Sequence, residues 1–173
     1  MAFGATGRIS PDYVVQDGVI PRSRLTDVLS RIAVISRESG LRIANVFHAG
    51  DGNLHPLICY DSRIPGETEK AIQAGSAVLK VCADVGGSIT GEHGVGMEKI
   101  EEMRFLFSDV DLAAQIAIRN VFNPKDLCNA GKLIPKPSRC VEVRHAQRII
   151  EGNMEIFSGF QEQIAVVSPQ AGK

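Results

Sequence analysis

A β-hairpin predicted between residues 42 and 60 limits the possible folds of this chain more than any other segment. Two short runs rich in β-branched and aromatic residues, 42–47 and 54–60, are separated by the turn sequence Ala-Gly-Asp-Gly-Asn. Glycine and aspartate in a short connection are typical of a tight turn between antiparallel strands. The hairpin is therefore expected to hold His48 and His55 at its closed end, with their rings facing each other across the turn.

Two amphipathic helices are predicted, one on each side of the hairpin. Apolar residues recur at helical spacing over 23–39, where Ser23 can cap the first turn and Gly40 can end the last one. A second helix is predicted over 67–85, between a Pro-Gly break and a Gly-Gly pair. The residues expected on its buried face are Ile72, Gly75, Leu79 and Cys82.

Extended segments at 13–20 and 88–90 complete the element order β-α-β-β-α-β over residues 1–96. This order is typical of the ferredoxin-like split βαβ unit, an antiparallel sheet with helices on one face. The predicted fold class is therefore α+β. Residues 1–12 contain glycine, serine and proline, and they are expected to form a loop that leads into the first strand.

A small C-terminal helical annex is predicted over 97–146, followed by a tail over 147–173. A short helix is expected around residues 100–106. Ser108 is a candidate cap for a second helix that ends at Asn123-Pro124. The expected organisation is thus one α+β domain, one annex and one tail.

Three of the four histidines lie in two glycine-rich motifs, the hairpin turn and the sequence Gly-Glu-His-Gly-Val-Gly at 91–96. Imidazole is the commonest side-chain ligand of first-row metals, and its pKa is near neutral. His48, His55 and Glu92 form a set that can hold a divalent metal with open positions for a substrate. His93 would remain free to move a proton. Two other interpretations stay open, namely that the hairpin histidines are ordinary surface residues and that His93 is an oriented structural residue.

The predicted fold and the predicted metal set are in tension. In the regular ferredoxin-like arrangement, the hairpin between the second and third strands lies at the end of the sheet opposite to where the fourth strand finishes. Glu92, which follows that strand, would then lie far from His55. Either the fourth strand is displaced or the metal set is wrong, and the sequence leaves both alternatives open.

Charge and hydropathy exclude several other functions. The formal net charge is -1 and the pI is about 6.4, with no run of like charge, so we expect no nucleic-acid binding. No apolar run approaches the roughly 18 residues of a membrane helix.

The N-terminal residues do not resemble a signal peptide, so a cytoplasmic protein is expected. Segment 91–96 lacks the Gly-Lys-Ser/Thr of a phosphate loop.

The cysteines are too few and too widely spaced for a disulfide scaffold or a cysteine-based zinc site, and they include no Cys-x-x-Cys pair. They are expected to be reduced, with Cys82 packed in the core. The four are Cys59, Cys82, Cys128 and Cys140.

The motifs resemble those of the C-terminal, substrate-side domain of FAD-linked oxidases of the vanillyl-alcohol oxidase superfamily. The resemblance covers about residues 2–146, including both histidine motifs, segment 7–13 and Gly131-Lys132. Within the superfamily, the chain is most similar to glycolate oxidase flavoprotein subunits, and D-lactate and D-2-hydroxyglutarate dehydrogenases are similar relatives.

This resemblance implies an enzyme that oxidises a 2-hydroxy acid of the glycolate or D-lactate type to a 2-oxo acid and passes a hydride to FAD. By motif position, it assigns His48, His55 and Glu92 to a divalent metal, zinc or another first-row ion. It assigns His93 the role of catalytic base, which takes the hydroxyl proton as the hydride leaves.

The resemblance also implies contacts with the flavin, and the chain departs from the family pattern in three respects. Asn129 and Lys132 correspond to a loop near the flavin, although Ala130 stands where a proline is usual. The chain has no glycine-rich pyrophosphate loop for FAD. The arginine that such enzymes place before the Ala-Phe-Gly-Ala stretch would lie upstream of Met1. The chain is therefore expected to be a fragment, a domain expressed alone or a split subunit.

The partners implied are an FAD-binding domain or subunit, a 2-hydroxy-acid substrate, an iron–sulfur electron-transfer subunit and a second copy of this chain. The alternative function is a metal-binding partner module that performs no catalysis on its own.

Overall fold

A computed structural model of the chain describes residues 2–135. The chain divides into two compact units, the first ending at Leu106 and the second beginning at Phe107. The predictions for Cys140 and for the tail at 147–173 lie outside the described residues. Among residues 2–135, none of the helices combines the length and the apolar character that a membrane span requires.

The first unit is built on an antiparallel sheet of four strands, which confirms the predicted α+β class. Strands β3 (Ile43–His48) and β4 (Asn53–Tyr60) form the predicted hairpin. On the other side of β4 lie β1 (Asp12–Val15) and β2 (Gly18–Val19), both antiparallel to it. Val19 also forms an isolated antiparallel bridge with Ser88, so the order across the sheet matches the split βαβ unit.

Three details at the edges of this sheet differ from the prediction. The stretch 13–20 is not one strand, because it is interrupted between Val15 and Gly18. The predicted strand 88–90 is reduced to the bridge at Ser88, because the chain turns sharply after it. The predicted N-terminal loop contains a short helix, α1 (Ala2–Thr6), which is too short to give a periodic signal.

The two predicted helices are present as α2 (Leu25–Ser39) and α3 (Glu67–Asp84). Gly40 ends α2 in the left-handed conformation, with φ of 73°, as predicted. Ser23 does not cap this helix, because it lies within a 3₁₀ turn at 22–24, and α2 shows no side-chain capping bond within the described region.

The core of the first unit lies between these helices and one face of the sheet. Val28 and Ile32 of α2 pack with Val78 and Cys82 of α3 and with Leu54 of β4. The predicted buried face of α3 is correct for three of its four members. Ile72, however, is 57% exposed, because the buried stripe passes through its smaller neighbour Ala71.

The alternation of side chains along a strand places the hairpin histidines away from this core. Leu54 faces the helices, so His55, the next residue of β4, points to the opposite face. Val46 pairs directly with His55, and His48 therefore lies on the same face as His55. The two histidines share the face of the sheet that does not pack against α2 and α3.

The second unit contains one long helix among its described residues, α4 (Asp109–Phe122). Ser108 caps it as predicted, since its hydroxyl accepts from the N–H of Asp111 while the Asp111 carboxylate accepts from the N–H of Ser108. The segment predicted as a short helix around residues 100–106 belongs to the first unit and forms a 3₁₀ helix at Glu101–Phe105.

Candidate metal centre

The closed end of the hairpin is held rigidly by backbone contacts around Gly52. The N–H groups of Asp51 and Gly52 donate to the carbonyl of His48, and Ile20 donates to the carbonyl of Gly52. Gly52 has φ of 75°, and a Cβ atom there would lie 2.1 Å from the carbonyl oxygen of Ile20. Only glycine fits both conditions, so the turn fixes the spacing of His48 and His55.

The Glu-His motif is held by a buried carboxylate that belongs to a distant part of the chain. Asp17 has 0% of its surface exposed and lies between β1 and β2. Its carboxylate accepts hydrogen bonds from the backbone N–H groups of Gly91 at 2.9 Å, Glu92 at 3.1 Å and His93 at 2.8 Å. The hydroxyl of Thr90 donates to it as well, at 2.8 Å. Successive N–H groups around one anion form a tight backbone turn.

This turn resolves the tension between the predicted fold and the position of Glu92. The chain leaves the sheet after Ser88 and wraps around Asp17 instead of running to the far end of the sheet. Glu92 therefore lies beside the hairpin, with Oε1 at 2.9 Å from Nε2 of His55. The fourth strand keeps its regular place beside Val19 but ends at the Ser88 bridge, so this fold does not separate Glu92 from His55.

All four residues singled out in the two motifs lie together. Nε2 of His48 is 3.7 Å from Oε1 of Glu92. The rings of His48 and His55 have centroids 5.3 Å apart and are nearly perpendicular, at 89°. The ring of His93 stacks on that of His55, with centroids 5.0 Å apart and an interplanar angle of 23°. The arrangement leaves His55 buried at the centre, while the other three side chains are exposed.

The most compact set of possible ligands differs from the predicted one. Ligand atoms of Asp17, His55, Glu92 and His93 all lie within 4.8 Å of one another. Imidazole nitrogens with carboxylate oxygens suit zinc and other first-row divalent ions. His48 lies outside this set, and its side chain is 60% exposed.

His55 has one nitrogen directed at Glu92 and one directed at Asp17. Its Nδ1 is buried and has no hydrogen-bond partner among the described residues. Oδ1 of Asp17 lies 3.9 Å from this nitrogen. A ring nitrogen facing a carboxylate while the other faces a metal is the usual arrangement of metal-binding histidines. The position of His55 is therefore compatible with a metal at Nε2.

Asp17 and Lys99 form a buried ion pair that sequence reasoning missed. Nζ of Lys99 is 3.6 Å from Oδ2 of Asp17, and both side chains are almost fully buried. Burial would raise the pKa of Asp17, but the hydrogen bonds from the His93 N–H, the Thr90 hydroxyl and the next two N–H groups hold that pKa well below its usual value. Burial lowers the pKa of Lys99, and the charge of Asp17 opposes this shift.

The sequence contained one indication that Asp17 is unusual, but it contained none for Lys99. An acidic residue beside glycine inside a β-rich stretch is unusual and marks an interruption. Its partners lie more than 70 residues away, so no spacing rule connects them to it. Lys99 follows a glycine-rich loop like many surface lysines.

Asn129 and Lys132 lie in the second unit, in a loop that Arg119 of α4 organises. The Arg119 guanidinium donates to the carbonyls of Cys128 at 2.8 Å and Asn129 at 2.9 Å. The N–H of Lys132 donates to the carbonyl of Asn129 at 3.2 Å. Both Asn129 and Lys132 are exposed, so their side chains are available to a partner.

Comparisons with known proteins identify the same family as the sequence motifs. A family model described as FAD linked oxidases, C-terminal domain, matches residues 1–133. The chain is 51% identical over 141 residues to the glycolate oxidase subunit GlcD of Escherichia coli, covering 82% of this chain and 28% of that protein. It is 33% identical over 138 residues to GlcD of Bacillus subtilis, covering 80% and 29%.

A D-lactate dehydrogenase of Archaeoglobus fulgidus is 32% identical over 125 residues, covering 70% of this chain and 27% of that protein. The chain thus spans less than a third of the length of each of these relatives.

Proposed function

Because the chain belongs to the family of FAD-linked oxidase C-terminal domains, we propose that it forms the substrate side of a flavin-dependent enzyme that oxidises a 2-hydroxy acid to a 2-oxo acid. The names of its relatives, glycolate oxidase subunit and D-lactate dehydrogenase, support this substrate class. Glycolate and D-lactate are both 2-hydroxy acids. The FAD would be held by a separate domain, as the family description implies.

The observation that carries the proposal is the meeting of the two motifs in space. His48, His55 and Glu92 are proposed to hold a divalent metal, zinc or another first-row ion. Zinc–nitrogen and zinc–oxygen distances of about 2.0–2.2 Å place tetrahedral ligand atoms roughly 3.3–3.6 Å apart. Nε2 of His48 and Oε1 of Glu92, at 3.7 Å, are close to this separation, and Nε2 of His55 lies nearer to the same oxygen, at 2.9 Å. The exposed side chains of His48 and Glu92 can adjust around an ion.

The chemistry follows from the positions of these groups. A bound metal would lower the pKa of a coordinated substrate hydroxyl, and a flavin would accept the hydride. His93 is exposed beside His55, so a ring nitrogen can take the hydroxyl proton. The carbon–hydrogen bond breaks with its electron pair leaving as hydride, and the C–O bond becomes C=O. Proton and hydride thus leave the two atoms that form the new double bond.

Asn129 and Lys132 are proposed to face the flavin. Their exposure and the order that Arg119 imposes on their loop support a contact role.

The metal assignment is tested by elemental analysis of the purified chain and its variants. His48→Ala, His55→Ala and Glu92→Gln are expected to remove most of the bound metal, because each deletes a ligand. His93→Ala is expected to keep the metal and to abolish oxidation when the rest of the protein is supplied. His145→Ala, the histidine outside both motifs, is the matched control. Equal metal loss in His93→Ala and His48→Ala would show that the two roles are wrongly divided.

A second candidate function is a metal-binding module without catalysis of its own. The observation that favours it is that every proposed ligand lies within the first unit, so the metal set needs no other domain.

A further inference from the structure

We propose that Asp17 is a positioning residue, whose buried carboxylate holds the turn of Gly91–His93 against the hairpin and orients His55. This inference rests on the metal site of the proposed function and adds to it a residue outside the proposed ligand set of His48, His55 and Glu92. Glu92 and His93 depend on Asp17 for their place beside His55.

The two carboxylate oxygens of Asp17 contact largely different groups. Oδ2 accepts from Thr90, Gly91 and His93 at 2.8–2.9 Å and from Glu92 at 3.1 Å, and so closes the turn. Oδ1 makes only one long contact with that turn, to the N–H of Glu92 at 3.3 Å. It lies 3.9 Å from Nδ1 of His55, which has no hydrogen-bond partner within residues 2–135. The Asp17 carboxylate therefore lies against both the Gly91–His93 turn and the hairpin residue His55.

Asp17 is held in a fixed position relative to both His55 and the Glu-His turn. Asp17 lies between β1 and β2, and both strands pair with β4, which carries His55. The strands thus fix the distance between Asp17 and His55, while the hydrogen bonds fix the Glu-His turn on Asp17. A ligand set held by such supporting contacts binds a metal more tightly than a loose one.

Lys99 has a separate role. Its ammonium, 3.6 Å from Oδ2 of Asp17, offsets the cost of a buried negative charge. Its Nζ has no hydrogen-bond partner among the described residues, which include the turn and His55. Removing Lys99 should therefore change stability more than it changes the ligand geometry.

The first test measures zinc affinity of the full chain by competition with a chromophoric chelator, at a temperature where circular dichroism shows every variant folded. Asp17→Asn is expected to weaken zinc binding by about 10–100-fold, the usual effect of losing a supporting group of a metal ligand. Lys99→Met is expected to bind zinc like the wild type. Asp12→Asn is the matched control, since Asp12 is also an aspartate on this sheet, accepting the N–H of Ser62 at 2.9 Å.

The second test does not depend on metal. In the metal-free chain, the amides of Gly91, Glu92 and His93 are expected to exchange with solvent much faster in Asp17→Asn than in the wild type. The amides of α2 should keep their protection. If Asp17→Asn does not fold, Thr90→Val, which removes one of the donors, is expected to weaken zinc binding and amide protection in the same direction by a smaller factor.

Two results would overturn the inference: unchanged zinc affinity and amide protection in folded Asp17→Asn, or equal weakening in Lys99→Met. A wild-type chain that binds no zinc would instead refute the proposed metal site. In that case, amide exchange alone would decide whether Asp17 holds the turn.

Discussion

Cys82 shows how strongly the core of the first unit disfavours charge at a single residue. It has 0% of its surface exposed and packs among aliphatic side chains of both helices. Burial raises the pKa of its thiol to about 12. Burial raises the pKa of the Cys59 thiol as well. Both thiols therefore remain protonated at pH values where a free cysteine becomes reactive.

Cys59 and Cys82 are buried whereas Cys128 is exposed, and this difference predicts selective alkylation of the native chain. At pH 8, iodoacetamide is expected to label the exposed Cys128 well before Cys59 or Cys82, because the thiolate is the reactive form and, of the three cysteines within residues 2–135, only Cys128 is exposed. Peptide mass mapping at several times measures the order. Labelling in urea, where all sites are open, is the control. Early labelling of Cys82 under native conditions would contradict its place in the core.

At the scale of the element, the hairpin turn contains two glycines, of which one tolerates a side chain and the other does not. Gly52 has φ of 75° and no room for a Cβ atom, whereas a Cβ atom at Gly50 would meet nothing within 4 Å. Both glycines lie between the two hairpin histidines, so they form a matched pair for substitution.

Gly52→Ala is expected to destabilise the chain by at least about 1–2 kcal/mol, the cost of the left-handed conformation, with a further cost from the clash with Ile20. Because the turn sets the spacing of His48 and His55, zinc affinity should fall as well. Gly50→Ala is expected to change neither property. Urea unfolding and chelator competition measure the two effects, and similar behaviour of both variants would refute this account of the turn.

At the scale of the whole molecule, the chain holds the proposed metal ligands and base but covers only 28% of the length of its relative in Escherichia coli. The family description names this part the C-terminal domain. The proposed reaction needs a hydride acceptor, and we assign FAD binding to a separate domain. Metal binding and oxidation should therefore be separable in experiments on this chain.

The chain alone, mixed with FAD, glycolate or D-lactate and an artificial electron acceptor, is expected to bind metal without turnover. Absorbance of the acceptor measures the reaction, and addition of a separately prepared FAD-binding domain of a relative is the positive control. Turnover by the chain alone would show that it holds FAD in a productive position. It would also exclude the reading as a metal-binding module without catalysis.

Local signals in the sequence predicted much of the fold. Turn chemistry at 49–53 predicted the hairpin, and helical spacing with Gly40 predicted α2 and its end. Ser108 predicted the start of α4. Each of these signals acts through hydrogen bonds and sterics within a few residues, so it can be read without knowing the rest of the structure.

The sequence by itself thus determined the α+β class, the hairpin with its two histidines and the family, because these depend on local patterns and recognisable motifs. Only the tertiary structure decided how Glu92 reaches His55. That contact depends on Asp17, whose partners are more than 70 residues away. A buried carboxylate must gather donors from wherever the fold provides them, and this long-range requirement, not any local preference, turns the chain out of the sheet after Ser88.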